Sequence, residues 1–543
     1  MLKRYNRTKS LLELTLTLLQ TTSKRLILYV ALFLVIADNT MFFKHVLSVY
    51  PLSWHNSGFI VSLGIILTSV LILLVNLLAS RYSLKILLIA LVLLSAGTNY
   101  FMNTYHVIID DTMIQNIAET NISESSDLLS FKLLGYMFFL GLLPSWLIYK
   151  TEVRYGSYKK ELFATVKTIL LLIAISLALM FAFSKFYTSF FRENKTLRFY
   201  TNPSYPIYSV GKYLYSSFLQ RAITLKPIGL DAKQTPSTMR KVTIVVVGEA
   251  ARANRFSLNG YERETNPLLK KEDIINLPNV SSCGTSTAIS VPCMFSILPR
   301  AQYSDKEAKS TENVLDVLKH AGVNVLWRDN NSDSKGVALR VNYEDYRTSK
   351  TNTICNDECR DEGMLVGLKE YIAAQKGDVL IVLHQMGNHG PAYYKRYPSN
   401  FEKFTPTCKT NQVEQCSSEE IGNAYDNAIL YTDYFLSKTI DFLKQYDETA
   451  QTVLIYMADH GESLGENGLY LHGIPYFMAP EEQTHVGALL WFGAQSKSSI
   501  DIEALRQNAA KPYSQDNLFD IILGVMGVQT AVYDKRKDII EYK

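Results

Sequence analysis

Five long apolar segments in the first third of the chain constrain its fold more than any other feature. Each approaches the roughly 20 helical residues that are needed to cross about 30 Å of hydrocarbon. Five such segments within the first 185 residues are too many for the buried helices of one soluble domain, so we predict five membrane-spanning helices. The segments are residues 26–43, 59–79, 84–101, 133–148 and 164–183.

The distribution of charge between these segments predicts their orientation. The first segment follows a cluster of Lys and Arg and lacks a small-residue cleavage site, which indicates a retained helix rather than a removed signal peptide. The third connection, residues 103–130, contains five acidic residues and no Lys or Arg, whereas the connection from Lys150 to Lys160 is basic. By the positive-inside rule, the N-terminus is cytoplasmic and everything after residue 183 lies outside. The small net charge of +4 argues neither for nor against a nucleic-acid partner.

All six cysteines follow residue 183 and therefore fall in the region that we place outside. Six cysteines permit 15 pairings, and sequence alone cannot choose among them. Reduced thiols or a structural zinc site are less favoured, because no pair lies beside a suitably spaced histidine. An oxidising compartment such as the bacterial periplasm fits best. The spacing suggests three local pairs: Cys283 with Cys293, Cys355 with Cys359, and Cys408 with Cys416.

Three regions follow from this pattern: a membrane domain over residues 1–184, a bridge over 185–240 and a soluble domain over 241–543. The bridge is rich in aromatic residues, which suit the membrane–water boundary or, equally, an extended linker packed against the soluble domain. From residue 241 onward, apolar strand-like runs alternate with helical stretches such as Val314–His320 and 429–444. The strand-like runs are residues 242–247, 323–327, 378–383, 452–455 and 488–492. This alternation predicts a parallel sheet covered by helices on both faces.

Carboxylate and imidazole groups follow two of the predicted strands. The run at 452–455 is followed by Asp459 and His460, and the run at 242–247 is followed by Glu249. Ligands gather at the carboxyl ends of strands in open α/β sheets. These groups therefore predict a divalent-metal site, with zinc favoured by the histidine. Taken singly, each residue also suits a structural role in a strand-end turn.

Thr287 is the candidate nucleophile. It lies in a small polar loop that leads into an apolar stretch, so we expect it near a helix N-terminus, where backbone N–H groups favour a phosphate. A threonine hydroxyl becomes an effective nucleophile when a metal stabilises its alkoxide. Without the metal ligands, a Ser/Thr cluster of this kind would be interpreted as helix capping.

Five motifs, in this order, resemble those of the phosphoethanolamine transferases. They are most similar to the lipid A phosphoethanolamine transferases, which include the mobile colistin-resistance enzymes and belong to the alkaline phosphatase superfamily. The resemblance covers nearly the whole chain. It implies five membrane helices plus a periplasmic α/β domain with a mostly parallel sheet, in the bacterial inner membrane. The motifs are Gly248-Glu249-Ala250-Ala251-Arg252, Cys283-Gly284-Thr285-Ser286-Thr287, Gly387-Asn388-His389-Gly390-Pro391, Asp459-His460-Gly461-Glu462-Ser463-Leu464-Gly465-Glu466 and Leu471-His472-Gly473.

The resemblance also implies a reaction. Phosphoethanolamine passes from phosphatidylethanolamine to a phosphate of lipid A, or of lipopolysaccharide, through a covalent phosphoethanolamine-threonine intermediate. The added ammonium lowers the negative charge of the outer membrane and weakens its attraction for polymyxin. A monomer without a nucleic-acid partner is implied.

Particular residues of this chain match the functional positions of the family. The implied zinc ligands are Glu249, Thr287, Asp459 and His460, with Thr287 as the nucleophile. The remaining matches are implied to contact substrate. His389 and His472 lie near the transferred phosphate, assist proton transfer and bind a second zinc in some members; Asn331 and Lys335 are substrate contacts; Asn116, Thr120 and Glu124, spaced by four residues, form a polar stripe for the donor headgroup.

Some positions depart from the family pattern. Gln515 stands where a histidine is expected, and residues 486–488 lack an expected proline. The loop around Cys355 and Cys359 is short. The alternatives are a phosphoglycerol-type or core-sugar phosphoethanolamine transferase of the same superfamily, or a non-enzymatic membrane sensor. A sulfatase is disfavoured, because neither Cys283 nor Cys293 begins the Cys/Ser-x-Pro-x-Arg segment that formylglycine formation needs.

Overall fold

The computed structural model describes residues 20–120, 125, 127–192, 194–220 and 224–543. These residues form two compact units. The first consists of the chain up to Asp111 together with Leu129–Lys212, and the second of Thr112–Leu128 together with Tyr213–Lys543. The segment Thr112–Leu128, which connects two apolar helices in sequence, thus belongs to the second unit.

Apolar helices dominate the first unit. Four of the described helices are long and apolar enough to cross a membrane, or five if one bent pair counts as a single span. The helical segments are Ser23–Ala37, Thr40–Val49, Trp54–Leu78, Leu84–Tyr105, Phe131–Tyr136, Met137–Leu142 (a π-helical turn), Leu143–Lys150, Tyr158–Ala182, Ser184–Arg192, Lys195–Tyr200 (3₁₀) and Ser204–Gln220; the strands Gln20–Thr22 and Glu152–Arg154 pair in parallel.

The bent pair corresponds to the first predicted span. Ser23–Ala37 and Thr40–Val49 meet at an angle of 56°, with Asp38 and Asn39 between them. A break in a membrane helix leaves backbone groups that need partners. The side-chain amide of Asn39 donates to one such group, the carbonyl oxygen of Leu34, at 2.9 Å and also to the carbonyl oxygen of Asn202 at 2.6 Å. Hydropathy predicted one continuous helix, because it does not register the hydrogen bonds that Asn39 makes at the bend.

A seven-stranded sheet forms the core of the second unit. Its strands are β1 (Arg240–Gly248), β2 (Ile274–Asn276), β3 (Asn324–Asp329), β4 (Asn342–Asp345), β5 (Val379–His384), β6 (Ala450–Ala458) and β7 (Ala488–Phe492), in the spatial order β2-β7-β6-β1-β5-β3-β4. The pairs from β6 through β4 are all parallel. The prediction of a mostly parallel sheet is thereby confirmed.

The edge of the sheet departs from the simplest expectation. Strand β7 matches the predicted apolar run but runs antiparallel to β6, and β2 is antiparallel to β7. Strands β2 and β4 were not predicted, because three or four residues of partly buried edge strand give too short a pattern. The central strands are almost entirely buried, as their continuous β-branched runs predict.

Helices and small sheets complete the second unit. The long helix Ser418–Lys444 begins eleven residues before the predicted stretch, at a Ser417–Glu420 capping box. All three suggested cysteine pairs are disulfide-bonded. The other helices are Asp111–Glu119, Thr287–Met294, Asp305–Lys309, Val314–His320, Leu368–Ala374, Glu481–Thr484, Ala494–Ser499, Ile502–Asn508 and Leu518–Met526; the remaining paired strands are Lys233–Gln234 with Val528–Gln529, Ser463–Leu464 with Tyr470–Leu471, and Val280–Ser281 with His485–Val486 and Tyr513–Ser514.

Candidate active site

Two neighbouring strands deliver the first ligand candidates. Strands β1 and β6 are paired in parallel up to Gly248 opposite Ala458, and the N–H of Asp459 donates to the carbonyl oxygen of Gly248 at 2.9 Å. Glu249 and Asp459 therefore leave the same edge of the sheet side by side. Both side chains are fully buried.

Thr287 reaches the same point from a helix. It is the first residue of Thr287–Met294, as the loop composition predicted. Its hydroxyl donates to Oε2 of Glu249 at 3.1 Å and lies 3.4 Å from Nε2 of His460. The disulfide between Cys283 and Cys293 spans the loop and helix that present this hydroxyl. The structure thus brings together the four residues expected to share a metal ion.

His460 presents a bare nitrogen to this cluster. Its Nδ1 lies 2.8 Å from the carbonyl oxygen of Gly461, which can only accept, so Nδ1 carries the proton. Nε2 is then free to act as a ligand, and it lies 3.4 Å from both Glu249 Oε1 and Asp459 Oδ2. Burial, followed by the charge of His472, lowers the pKa of His460 to about 4, so the ring is neutral at pH 7.

Hydrogen bonds compensate the charge of the two carboxylates only in part, because they reach one oxygen of each group. Among the residues that the structure describes, Glu249 Oε1 and Asp459 Oδ2 have no hydrogen-bond donor, although both atoms are buried. Burial raises the pKa of Asp459 to about 6. Burial and the charge of Asp459 also raise the pKa of Glu249. Two buried carboxylates facing a neutral imidazole are unfavourable unless a cation lies between them. Ligand atoms of these three residues lie within 4.8 Å of one another, so this donor set fits a zinc ion.

Asn331 lies behind the cluster. Its side-chain amide donates to Oε2 of Glu249 and to the carbonyl oxygen of Gln385, both at 2.7 Å. Both amide hydrogens are therefore used, one on Glu249 and one on the backbone at Gln385, while the buried Oδ1 of Asn331 has no donor among the described residues. These contacts fix the position of Glu249, and the substrate contact that the resemblance implied for Asn331 stays a prediction, which its Oδ1 rather than its amide hydrogens would make.

His389 and His472 stand together on the other side of His460. The ring centroids of His460 and His472 are 4.3 Å apart, and those of His389 and His472 are 5.8 Å apart. Nδ1 of His472 lies 2.8 Å from Oε2 of Glu462. Burial alone would lower the pKa of His472, but the charge and hydrogen bond of Glu462 raise it to about 9. Burial and the nearby charge of Arg396 lower the pKa of His389 well below its usual value. The two histidines thus differ in charge.

Lys335 and Asn116 are two further residues that are predicted to contact substrate. Nζ of Lys335 donates to the carbonyl oxygen of Ser332 at 2.8 Å and lies 3.8 Å from a carboxylate oxygen of Glu119. Asn116 lies beside the turn after His472: a Cβ added to Gly473, whose φ is +85°, would lie 3.8 Å from the Asn116 amide.

Thr120 and Glu124 are the other two members of the predicted stripe. Thr120 follows the end of the helix Asp111–Glu119, and its hydroxyl donates back to the carbonyl oxygen of Asn116 at 2.6 Å. Glu124 lies outside the described residues.

Gln515 is a part of the site that sequence reasoning treated only as a departure. Its amide donates to the carbonyl oxygens of Ala458 and Asp459 at 2.8 and 2.7 Å, and its oxygen accepts from the N–H of Cys283 at 2.7 Å. It therefore joins the strand end that carries Asp459 to the loop that carries Thr287. A buried glutamine with three satisfied hydrogen bonds has no signature in sequence, but its place in a motif where another polar residue was expected was a usable signal.

Comparison with known proteins agrees with this geometry. Residues 67–218 match the family model described as phosphoethanolamine transferase EptA/EptB, and residues 241–528 match the sulfatase model. The chain is 46% identical over 515 residues to phosphatidylethanolamine transferase Mcr-2 of Escherichia coli, covering 91% of this chain and 94% of the relative. The chain belongs to the phosphoethanolamine transferase family. It is also 41% identical to phosphoethanolamine transferase EptA of E. coli K12 over 530 residues, covering 95% and 96% of the two chains.

Solved structures of phosphoethanolamine transferases support the whole architecture. The integral membrane lipooligosaccharide phosphoethanolamine transferase A from Neisseria meningitidis matches with a TM-score of 0.92 at 33% identity, covering 96% of this chain and 98% of that one. The soluble domain of that protein matches 59% of this chain at 41% identity, with a TM-score of 0.56. This phosphoethanolamine transferase is therefore a multi-pass membrane protein with a sulfatase-like α/β domain.

Proposed function

We propose that the chain transfers phosphoethanolamine from phosphatidylethanolamine to a phosphate of lipid A, with Thr287 as the nucleophile. One observation carries the proposal: the Thr287 hydroxyl, the bare Nε2 of His460 and two uncompensated carboxylate oxygens converge at one sheet edge. Relatives that share more than 40% identity over nine-tenths of the chain are phosphatidylethanolamine or phosphoethanolamine transferases by name, which supports the donor.

Zinc is the cofactor that we assign to this cluster. Glu249, Thr287, Asp459 and His460 would hold the ion. A zinc ion supplies Lewis-acid chemistry, which stabilises negative charge on oxygen. The uncompensated oxygens of Glu249 and Asp459 support this assignment, because a cation is what their burial requires.

The first displacement follows from the position of Thr287. Its hydroxyl oxygen bonds to the phosphorus of phosphatidylethanolamine and loses its proton, and the bond from phosphorus to the glycerol oxygen breaks. Diacylglycerol leaves with a proton, and phosphoethanolamine stays esterified to Thr287. The start of the helix Thr287–Met294, which has no side-chain cap from Ser286, favours the phosphate oxygens during this step through its backbone N–H groups and positive dipole end.

The second displacement reverses the first with another oxygen. A phosphate oxygen of lipid A bonds to the phosphorus, and the bond from phosphorus to the Thr287 oxygen breaks. The Thr287 oxygen takes up the proton that the attacking hydrogen phosphate gives up, and phosphoethanolamine stays on lipid A. His389 and His472 suit proton movement at both steps, because His472 lies against His460 with His389 next to it, and because Nδ1 of His389 has no hydrogen-bond partner among the described residues. Glu462 fixes the ring of His472 through its Nδ1.

We further place the enzyme in the bacterial inner membrane with its catalytic unit in the periplasm. Three disulfides in the second unit support an oxidising compartment. The acidic connection 103–130 and the basic connection 150–160 support the same orientation.

Mass spectrometry of lipid A tests the proposal. Cells that express the chain should carry lipid A with one or more added phosphoethanolamine groups, and cells that express Thr287→Ala at equal level should not. Fragmentation of the modified lipid separates phosphate attachment from attachment to a core sugar. Unmodified lipid A with the folded wild-type protein, or full modification with Thr287→Ala, would disprove the assignment.

A further inference from the structure

A buried ion pair joins the segment Thr112–Leu128 to the part of the second unit that carries His389. We call Thr112–Leu128 the donor-side segment, because it contains the residues predicted to contact the donor headgroup, and we call the second unit the catalytic unit. Oδ2 of Asp127, within this segment, lies 2.9 Å from Nη2 of Arg396. The side chains are only 4% and 2% exposed. The other carboxylate oxygen of Asp127 contacts the ammonium group of Lys395. A charged pair this well buried is held by its partners rather than by water.

Asp127 is also fixed through its backbone. The side-chain amide of Asn411 donates to the carbonyl oxygen of Asp127 at 2.6 Å. Asn411 lies in the loop that the disulfide between Cys408 and Cys416 closes. Both the charge and the main chain of Asp127 are therefore bound to elements of the catalytic unit.

The other two guanidinium nitrogens of Arg396 contact the backbone of His389 and the side chain of Glu358. Its Nε donates to the carbonyl oxygen of His389 at 2.6 Å, and its Nη1 pairs with Glu358 in the loop closed by Cys355 and Cys359. One guanidinium thus contacts the donor-side segment, the backbone of a candidate catalytic histidine and a disulfide loop. The planar fork of arginine suits three fixed partners better than a lysine would.

The same segment reaches the site at its other end. Its helix carries Asn116, whose amide lies beside Gly473, and Glu119, whose carboxylate lies 3.8 Å from Nζ of Lys335. The segment is therefore anchored near Lys335 and His472 at one end and near His389 at the other. None of these contacts touches Thr287 or the proposed zinc ligands.

We infer that Asp127 is a positioning residue that sets the donor-headgroup segment against His389 through Arg396. The inference rests on the proposed function, because it takes phosphatidylethanolamine as the donor, and on the stripe of Asn116, Thr120 and Glu124 that the family resemblance implies for the donor headgroup. Loss of the pair should loosen the segment and weaken use of the lipid donor, while the nucleophile and its ligands stay in place. A merely structural role would instead reduce all activities in proportion to the loss of folded protein.

The test uses the full-length, zinc-loaded protein in detergent with two substrates. The first is phosphatidylethanolamine with a fluorescent acyl chain, which reports donor use. The second is bis(4-nitrophenyl) phosphate, which lacks ethanolamine and lipid and reports the nucleophile alone. Asp127→Asn should raise the KM for the lipid about tenfold and change turnover of the aryl phosphodiester less than about twofold. Asp127→Glu should recover most of the lipid KM.

Glu358→Gln is the matched control, because it removes a carboxylate from the same Arg396 and leaves the ion pair between Arg396 and Asp127 in place. It should leave the lipid KM within about twofold of the wild-type value. Equal losses for both substrates in Asp127→Asn, an unchanged lipid KM, or the same KM increase in Glu358→Gln would each overturn the inference. Wild-type protein that cleaves no lipid donor would overturn the proposed function as well, so the two failures are distinguishable.

Discussion

The hydroxyl of Thr287 donates to the Glu249 carboxylate at 3.1 Å, although the two residues are 38 positions apart in the chain. Glu249 leaves the end of strand β1, and Thr287 begins a helix that the disulfide at Cys283 joins to its preceding loop. Because each arrives on a separate rigid element, the hydroxyl can be altered without moving the carboxylate.

Thr287→Val should therefore abolish transfer while the protein stays folded. Valine keeps the shape of threonine but has no hydroxyl, and we expect a loss of at least about 10³-fold in the cleavage of phosphatidylethanolamine. Thr287→Ser retains a hydroxyl and should keep measurable activity. Thermal melting confirms folding in each case. Activity of Thr287→Val near the wild-type level would contradict the role of this residue.

The buried carboxylate oxygens Oε1 of Glu249 and Oδ2 of Asp459, which have no donor among the described residues, predict opposite effects of one substitution with and without metal. In the metal-free protein, Glu249→Gln removes a buried charge that is compensated only in part, and we expect the Tm to rise by about 2–5 °C. With zinc at about 1,000 times its Kd, the wild type should gain about 4 kcal/mol and the variant much less. Melting curves with and without chelator, alongside metal analysis, test whether the Tm of Glu249→Gln is higher than that of the wild type without metal and lower with zinc.

Glu264→Gln serves as the control for this experiment. Glu264 is 43% exposed and pairs with Lys270 at the surface, so its loss should change neither curve. A Glu249→Gln variant that is less stable than the wild type in the absence of metal would argue against the electrostatic account.

Gln515→Ala should weaken zinc binding although Gln515 is not a proposed ligand. The change leaves the N–H of Cys283 and two carbonyl oxygens near Asp459 without their buried partner, at a cost of about 1–3 kcal/mol for each unsatisfied group. Loss of hydrogen bonds that hold a metal ligand in position reduces metal affinity by about 10–100-fold. Competition with a fluorescent zinc chelator measures it. Gln515→His can replace one donor and one acceptor, so its zinc affinity should lie between those of the wild type and Gln515→Ala. A zinc affinity of Gln515→Ala equal to that of the wild type would refute the prediction.

The sequence predicted those parts of the molecule that repeat or that lie at strand ends. Long apolar runs predicted the helices and the central strands. Glu249, Asp459 and His460 were predicted as metal ligands because they directly follow two of these strand-like runs. Such features are local. Asn39, which satisfies the backbone at the bend of the first span, and Gln515 act on residues more than 50 positions away, and nothing nearby in sequence marks their partners. The partner of Asp127 is likewise 269 positions away.

Asp433 predicts how stability changes with pH. Its buried carboxylate accepts from the N–H groups of Leu268 and Leu269, and burial raises its pKa to about 7. Because this value exceeds that of the unfolded chain, near 4, the contribution of Asp433 to stability is fully present below pH 4 and is lost as the pH rises through 7. Asp433→Asn should therefore destabilise the protein more at pH 5 than at pH 8, as measured by Tm. Asp441→Asn, at a position 55% exposed on the same helix, should follow the wild-type curve throughout.

Expression of the active chain should protect bacteria from cationic peptides. Each added ammonium offsets negative charge on lipid A and weakens attraction for polymyxin. Cells with the wild-type chain should survive a higher polymyxin concentration than cells with Thr287→Ala, and the difference should shrink in high salt, which screens surface charge. Equal survival despite modified lipid A would separate the chemistry from resistance.

The pairing of strands β1 and β6 has a consequence for biosynthesis. Glu249 and Asp459 meet only because a strand that begins at Ala450 inserts between two others. A nascent chain released before that strand emerges holds the nucleophile but lacks Asp459 and His460. Chemistry on membrane lipids therefore waits until most of the polypeptide has been synthesised, and premature termination yields inert fragments rather than uncontrolled lipid cleavage.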